Sequence, residues 1–394
     1  MHNLFWALLV LFLFGALLRM DWVYYLVYVV GGVWVLSHWW VRRSLGKLTV
    51  HRNMLNRAFV GERIAVQLAF ENLSWLPLPW LRVQERVPLD LKEMPNYHAV
   101  LSIAGHSKSD FDYRFHCKRR GYFPVGPLSL STGDLFGFAT AEWSEQEPIY
   151  VTVYPQVVSL QKLGLSSRSP FGDLSSNQRL FQDPARISGV RNYVSGDSMR
   201  QIHWKASARE NTLLVKKFQP AIALEVMLVL DLDRHAYPET GSIGYSEWAI
   251  TVAASIATYI SDQRQPVGLI CNGIDQMSGH PAAPAPARNG QGHLMGILGL
   301  LARIQAHEPE QPLEEWLPAQ IADLAWGTTL IVITPNLSEA GLWMLHSAYR
   351  RGSNVLALIC APQPDYTVRQ AQGKRLGVKV HRTIWEIDLH ELSD

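Results

Sequence analysis

The most chemically distinctive stretch of the 394-residue chain is a basic segment over residues 179–217. This segment contains three acidic residues and eight basic ones, at Arg179, Arg186, Arg191, Arg200, Lys205, Arg209, Lys216 and Lys217. Guanidinium and ammonium groups bind carboxylates and phosphates through charge-assisted hydrogen bonds. The surplus is local, because the whole chain carries a formal net charge of only +2. The segment therefore predicts a contact with acidic groups, whether inside the molecule or on a partner.

Three interpretations of the basic segment stay open. In the first, it is a structural motif in which Asp197 and the arginines connect two domains. In the second, it is a docking surface for an acidic protein or a phosphate-bearing ligand. In the third, it is a nucleic-acid site without sequence preference. The last is the least favoured, because Tyr193 and Trp204 are its main aromatic residues and no groove-binding motif occurs. Gly196-Asp197 predicts a turn, with Asp197 capping a short helix that begins near Ser198.

Nucleophilic catalysis is the next chemistry to consider. Asp197, His203 and Ser207 could be drawn as a triad, although the same spacing suits a short capped helix. Walker A, GxGxxG and nucleophile-elbow signatures do not occur in the sequence. We expect a protein without enzymatic activity, with phosphatase or protease activity as the alternative.

The composition indicates a folded chain of two or three domains. Hydrophobic residues make up 48% and charged residues 18%, which excludes a disordered or fibrous protein. The three cysteines (Cys117, Cys271 and Cys360) lie far apart, so neither a disulfide framework nor a cysteine zinc site is expected.

Two stretches near the amino terminus lack charged residues, over residues 4–18 and 22–41. With only three residues between them, they predict a transmembrane helical hairpin over residues 1–43. A cleaved signal peptide is the rival interpretation of the first stretch, but a basic leader and a small-residue cleavage site are missing. Basic residues after the second stretch, such as Arg42 and Arg43, predict a two-pass protein of the inner (cytoplasmic) membrane, with both termini and the main body cytoplasmic.

Three further regions follow the predicted hairpin. Residues 48–157 contain period-two runs, such as those at 64–70 and 110–116, that predict a β-sandwich. Residues 158–220 comprise a Ser- and Gly-rich linker and the basic loop. Residues 221–394 alternate apolar strands with helices, which predicts a doubly wound α/β domain with a largely parallel sheet. Its predicted strands lie at 224–230, 267–271, 329–334 and 355–360.

The basic segment resembles the signature of the domain-of-unknown-function-58 family. Matching positions are Gly189, Tyr193, Gly196, Asp197, Arg200, Ile202, Trp204, Ala208, Arg209 and Leu213. Residues 120–127 and 134–137 resemble that family's second landmark. The resemblance extends over essentially the whole chain and implies two membrane helices, a β-sandwich and a C-terminal domain similar to von Willebrand factor A. It also implies action beside a MoxR-type AAA+ ATPase in the assembly or maturation of other proteins.

The implied similarity to von Willebrand factor A domains suggests where a metal site would lie. Such domains can bind a divalent cation through an Asp-x-Ser-x-Ser sequence after the first strand, whereas this chain has Asp231-Leu-Asp233-Arg-His235. A later strand that usually ends in Thr-Asp-Gly ends here in Thr334-Pro335-Asn336. Mg²⁺ could still bind Asp231 and Asp233, but a degenerate site without a cofactor is the favoured expectation.

The function expected from these observations is that of a membrane-anchored, non-enzymatic interaction or adaptor protein. Its partner is expected to be a protein, and a MoxR-type ATPase is the candidate. Nucleic acid is not expected to be a partner. The alternative function is a metal-dependent binding or hydrolytic domain centred on Asp231 and Asp233.

Overall fold

The computed structural model describes residues 2–18, 21–91, 97–145, 147–160, 182–194, 199–220, 225–309 and 311–389. The chain forms two compact units, Met1–Gln156 and Val157–Asp394. The predicted Ser- and Gly-rich linker falls within residues 161–181, outside the described residues.

The amino-terminal unit begins with two helices, α1 (His2–Leu18) and α2 (Asp21–Leu45). Across the described residues, neither of these helices nor any other combines the length and the apolar character that a membrane span requires. Helix α1 has 17 residues, fewer than the roughly 20 needed to cross a bilayer. Helix α2 is longer, but tryptophan, tyrosine, glycine, serine and histidine dilute its aliphatic residues. The prediction of a two-pass transmembrane hairpin in the cytoplasmic membrane is therefore wrong.

The carboxyl-terminal half of α2 packs on the β-structure that follows it. Val41 and Ser44 are buried, and the indole Nε1 of Trp40 donates a hydrogen bond to the Pro77 carbonyl at 2.9 Å. The last turns of the second apolar stretch therefore contribute to the packing of this unit.

Ten strands complete the part of the amino-terminal unit that the structure describes. Their bounds are β1 Leu48–Met54, β2 Arg57–Phe59, β3 Arg63–Asn72, β4 Leu78–Glu85, β5 His98–Ile103, β6 Lys108–His116, β7 Gly121–Val125, β8 Leu128–Gly133, β9 Thr140–Ser144 and β10 Ile149–Tyr154. They form three sheets, ordered β1-β3-β6, β2-β10-β7 and β5-β4-β8-β9. All pairs are antiparallel except β2 with β10. Alternate residues of β3 are buried, which explains the period-two pattern of its sequence.

One buried polar cluster lies among the apolar side chains of this unit. The Arg52 guanidinium on β1 lies 3.1 Å from the Glu85 carboxylate and 2.6 Å from that of Glu145. The Tyr113 hydroxyl donates to the second Glu85 oxygen. Burial raises the pKa of Glu85, while Tyr113 and Arg52 oppose that shift. The cluster compensates a carboxyl group that would otherwise be unpaired in the core.

The carboxyl-terminal unit contains a small hairpin and an α/β domain. The hairpin segment comprises β11 Gln182–Asn192, α3 Trp204–Glu210 and β12 Leu214–Pro220. The α/β domain comprises β13 Val226–Leu230, α4 Ser242–Asp262, β14 Val267–Cys271, β15 Ile274–Asp275, β16 Ala285–Arg288, α5 Gln291–Arg303, β17 Ile304–Gln305, α6 Leu313–Gln320, β18 Thr329–Thr334, α7 Glu339–Arg350, β19 Asn354–Ile359, α8 Tyr366–Leu376 and β20 Lys379–Arg382.

Six strands form the main sheet, in the order β16-β14-β13-β18-β19-β20. All neighbours are parallel except β14 with β16. Helices α4 and α5 contact one face, and α6, α7 and α8 cover the other. Every residue of β13, β14 and β18 is buried, as a strand covered on both faces requires.

The Glu85 cluster yields a test of stability. We expect Tyr113→Phe to lower the free energy of unfolding by about 1–3 kcal/mol, because a buried carboxyl group loses a hydrogen-bond donor. Chemical denaturation of the full chain measures this loss. Tyr150→Phe, which removes the hydroxyl of a half-exposed tyrosine, is the matched control and is expected to change stability by less than about 0.5 kcal/mol. Equal effects of the two substitutions would contradict this account.

Candidate functional site

The carboxyl end of β13 places a buried acid at the centre of the main sheet. Asp231 follows this strand directly and is 2% exposed. Its Oδ1 accepts hydrogen bonds from Asn272 Nδ2 at 2.8 Å and from the Asp233 amide at 3.1 Å. Its Oδ2 lies 2.9 Å from the Thr334 hydroxyl. Because Asn272 follows β14 and Thr334 ends β18, one carboxyl group joins the ends of three neighbouring strands.

The hydroxyl of Thr334 has two acceptors within reach. Its Oγ1 lies 2.9 Å from Asp231 Oδ2 and 2.8 Å from the Asn336 carbonyl, yet it carries one hydrogen. A protonated Asp231 would donate to Thr334 and leave that hydrogen for Asn336, so both contacts would be satisfied. Burial raises the pKa of Asp231, although the bonds from Asn272, Asp233 and Thr334 oppose the shift. The two acceptors of Thr334 and the raised pKa both shift Asp231 toward the neutral acid relative to an exposed aspartate.

Backbone groups around Asp231 are bound as well. The Tyr237 hydroxyl donates to the Asp231 carbonyl at 2.8 Å, and the Leu232 amide donates to Asn272 Oδ1 at 2.6 Å. The side chain of Asn272 therefore accepts from the turn after β13 and donates to Asp231. This arrangement fixes the backbone where β13 leaves the sheet.

The residues at this edge do not fit the divalent cation that the resemblance suggested. Both oxygens of Asp231 are engaged by protein groups, and Asp233 Oδ1 accepts from the His235 amide at 2.9 Å. Over the described ranges, no three His, Cys, Asp or Glu side chains are grouped closely enough to hold a metal ion. Mg²⁺ prefers one or two accessible carboxylates together with water molecules, and Asp231 is enclosed instead.

The basic segment, predicted to be a loop with a short helix beginning near Ser198, folds into a hairpin whose short helix begins at Trp204. Strands β11 and β12 pair antiparallel, with Gly189 opposite Lys217. The Tyr193 amide donates to the Leu213 carbonyl at 2.8 Å and extends that pairing. Helix α3 begins at Trp204, and its N-cap is His203, whose Nδ1 accepts from the Ala206 amide at 3.2 Å.

The signature residues are distributed over this hairpin segment. Gly189 lies in β11, and Tyr193 directly follows that strand. Trp204 and Arg209 are exposed on α3. Arg200 lies in a single 3₁₀ turn before α3 and is not part of that helix. The predicted cap Asp197 and its neighbour Gly196 lie outside the described residues.

The two described members of the considered triad have structural roles. His203 caps α3 through Nδ1, and the Ser207 hydroxyl lies 3.1 Å from the His203 carbonyl while accepting from the Leu214 amide at 2.9 Å. Ser207 therefore joins α3 to β12. Neither side chain is arranged as a nucleophile and its base.

Asn272 is the site residue that the sequence analysis missed. A signal for it existed, because it directly follows the buried run at 267–271 as Asp231 follows the run at 224–230. Polar residues at the carboxyl ends of adjacent parallel strands meet at one edge of the sheet.

The buried acid yields a prediction about charge. Asp231→Asn keeps the shape, accepts from Asn272 and Asp233 as before, and donates to Thr334 through its own amide. We expect it to be at least as stable as wild type near pH 7, whereas Asp231→Ala loses about 1–3 kcal/mol by leaving Asn272 unpaired.

The pH dependence has a defined sign. The folded pKa of Asp231 is raised, so its contribution to stability is complete below its unfolded pKa of about 4 and is lost as pH rises through the folded value. Thermal melting from pH 4 to 8 should therefore show the advantage of Asp231→Asn growing with pH. A loss equal to that of Asp231→Ala, or stabilisation of wild type alone by millimolar Mg²⁺, would contradict this account.

Comparison with solved structures gives only weak likenesses. The match to the CARDB domain of a Pyrococcus furiosus protein covers 27% of this chain and 91% of the other chain, with 14% identity and a TM-score of 0.21. Native alpha-2-macroglobulin from Escherichia coli covers 31% of this chain and 21% of its own, with 16% identity and a TM-score of 0.24. Scores this low support no inference about fold or function.

Comparison with sequences is more informative. The family model described as "Protein of unknown function DUF58" matches residues 189–325, from the hairpin segment into the α/β domain. The uncharacterized protein YeaD of Bacillus subtilis (strain 168) is 22% identical over 333 residues, which is 82% of this chain and 78% of YeaD. Both matches support the resemblance to the DUF58 family of proteins of unknown function, which the family model places at residues 189–325.

Proposed function

We propose that this protein is a non-catalytic docking module that binds an acidic surface of another protein through its hairpin segment. The observation that carries the proposal is Trp204, which is 65% exposed at the first position of α3, within the stretch matched by the family model. Tryptophan is the residue type most enriched among those that dominate binding energy at protein interfaces.

Other exposed apolar side chains accompany Trp204. They occur on β11 and in the connections of the hairpin segment, at Val190, Val194, Met199 and Leu213. Single exposed apolar residues are common, but several within one short segment mark an interaction surface. This concentration favours docking over a purely structural role.

The exposed charges of the segment favour an acidic partner. Over the described residues 189–194 and 199–216, Arg191, Lys205 and Arg209 are exposed, as is Glu210. Complementary charge accelerates association and selects among partners. A partner with carboxylates around an apolar pocket would suit both features.

The segment is held in shape by its inward-facing residues. Ile202, Leu214 and Val215 are buried, while Ser207 joins α3 to β12. The turn after α3 uses Asn211 in the left-handed conformation. Trp204 is thus presented by a folded element, which lowers the entropic cost of binding.

A MoxR-type AAA+ ATPase is the partner we propose, on the strength of the family resemblance. The proposal of a non-catalytic role is supported by the structural use of His203 and Ser207 and by the enclosure of Asp231. A sequence-neutral nucleic-acid site is the competing use of the same basic surface.

A binding measurement tests this proposal. The full chain is titrated with the MoxR-type ATPase of the same genome, with ATP and Mg²⁺ present, and Kd is measured by biolayer interferometry. We expect Trp204→Ala to weaken binding by at least about 30-fold, as loss of a central interface tryptophan does. A Lys205→Glu/Arg209→Glu variant should bind more weakly and lose its salt dependence.

Trp143→Ala, a change at a half-exposed tryptophan of β9, is the control and should leave Kd unchanged. Absence of wild-type binding would contradict the proposed partner, and equal binding by Trp204→Ala would contradict the proposed surface. Salt-sensitive binding of a 30-nucleotide single strand, lost in the charge variant, would support the competing use.

A further inference from the structure

We propose a second docking site, a groove between α7 and α8 that binds an acidic amphipathic helix of a partner protein. The groove has a volume of about 150 Å³ and is lined by Glu339, Leu342, Trp343, Gln372, Arg375 and Leu376. A volume of this size admits one ring or branched aliphatic side chain. The site shares no residue with the hairpin segment, so it stands independently of the function proposed above.

A row of aromatic side chains runs along α7 beside the groove. Trp343, His346 and Tyr349 are spaced three residues apart, with ring centroids separated by 5.8 Å and 6.4 Å. Trp343 is 55% exposed and Tyr349 is 44% exposed. The row spans about 9 Å along the helix axis, which matches two turns of an opposing helix.

Contacts with the end of α8 hold this row in place. His346 Nδ1 donates to the Leu376 carbonyl at 2.7 Å, which fixes its tautomer. The Tyr349 ring lies over Gly377, where a Cβ atom would come within 2.5 Å of the ring. Gly377 also has a φ of +76°, so this position requires glycine on both grounds. The aromatic row is therefore preorganised.

The charge around the groove identifies the occupant. Helix α8 carries Arg369, Lys374 and Arg375 and has no acidic residue. Two acids near the groove, Asp365 and Glu339, both pair with Arg369, at 2.8 Å and 3.9 Å. The exposed Arg375 then supplies a positive charge in the lining of the groove, which complements a carboxylate on the bound partner.

A helix suits this surface better than an extended segment. Two parallel helices with an apolar cleft between them form the usual receptor for an amphipathic helix, whose anchors fall at i, i+4 and i+7. One anchor would enter the groove against Leu342 and Leu376, and the next would lie on the aromatic row. A glutamate on the flank of that helix would meet Arg375.

Peptide selection on the full-length protein tests the inference. A displayed library of helix-biased 18-residue peptides is selected against the immobilised chain, and enriched peptides are measured by fluorescence anisotropy. We expect enrichment of peptides with apolar residues at i, i+4 and i+7 and glutamates beside them. Trp343→Ala should weaken their binding at least about tenfold, and Arg375→Glu should do so most strongly at low salt.

Trp143→Ala is the matched control, since it removes a half-exposed tryptophan from β9 and should leave peptide binding unchanged. Thermal melting of each variant checks that it is folded, and Arg375→Glu tests the same site if Trp343→Ala melts early. Three outcomes would overturn the inference: enrichment of peptides without acidic residues, no enrichment at all, or binding by both groove variants that is as tight as binding by the unaltered protein.

Discussion

The carboxyl group of Asp231 holds together the part of the molecule on which the rest of the α/β domain depends. It joins the ends of β13, β14 and β18 through Asn272 and Thr334. Thr334 continues the connection to the Asn336 carbonyl, in the turn that leads into α7. A buried polar group is tolerated only when its partners are in place, so these bonds specify one arrangement of the strand ends.

The same chain of contacts reaches the helices that carry the proposed groove. After Asn336, the backbone of Leu337 exchanges two hydrogen bonds with the Gln363 side chain, which precedes α8. Ser338 then caps α7 through the Gly341 amide at 2.9 Å. The starts of α7 and α8 are thus fixed to the centre of the sheet, and the aromatic row inherits its position from them.

The sequence predicted the structure best where a single physical pattern determines the secondary structure. The strands β13, β14, β18 and β19 lie within a few residues of the predicted runs, because strands covered by helices on both faces must be continuously apolar. Asp231 was recognisable by its position after such a run. Its contacts with Asn272 and Thr334 were not predicted, although both residues stand at the ends of buried runs, because they lie 41 and 103 positions away along the chain.

The wrong predictions have equally specific causes. Absence of charge was read as membrane-spanning character at residues 4–18 and 22–41, although the first helix is short and the second is rich in aromatic and small polar residues. Most of the basic segment was predicted to be a loop because it is rich in glycine and charged residues. Its strands pair in a hairpin whose register is interrupted by bulges, so no regular strand pattern occurs in the sequence. The side of α3 that is exposed depends on the burial of Ile202 and Leu214, which composition does not reveal.

The buried polar groups of this protein stabilise its own architecture, and we propose that its exposed aromatic residues bind partners. Hydrogen–deuterium exchange of the full chain, alone and with the MoxR-type ATPase plus ATP and Mg²⁺, tests this claim most directly. The account predicts that amides over residues 199–214 become more protected in the complex, while those of the strand carrying Asp231 stay unchanged. Unchanged exchange over residues 199–214 in a sample that contains the complex would contradict it.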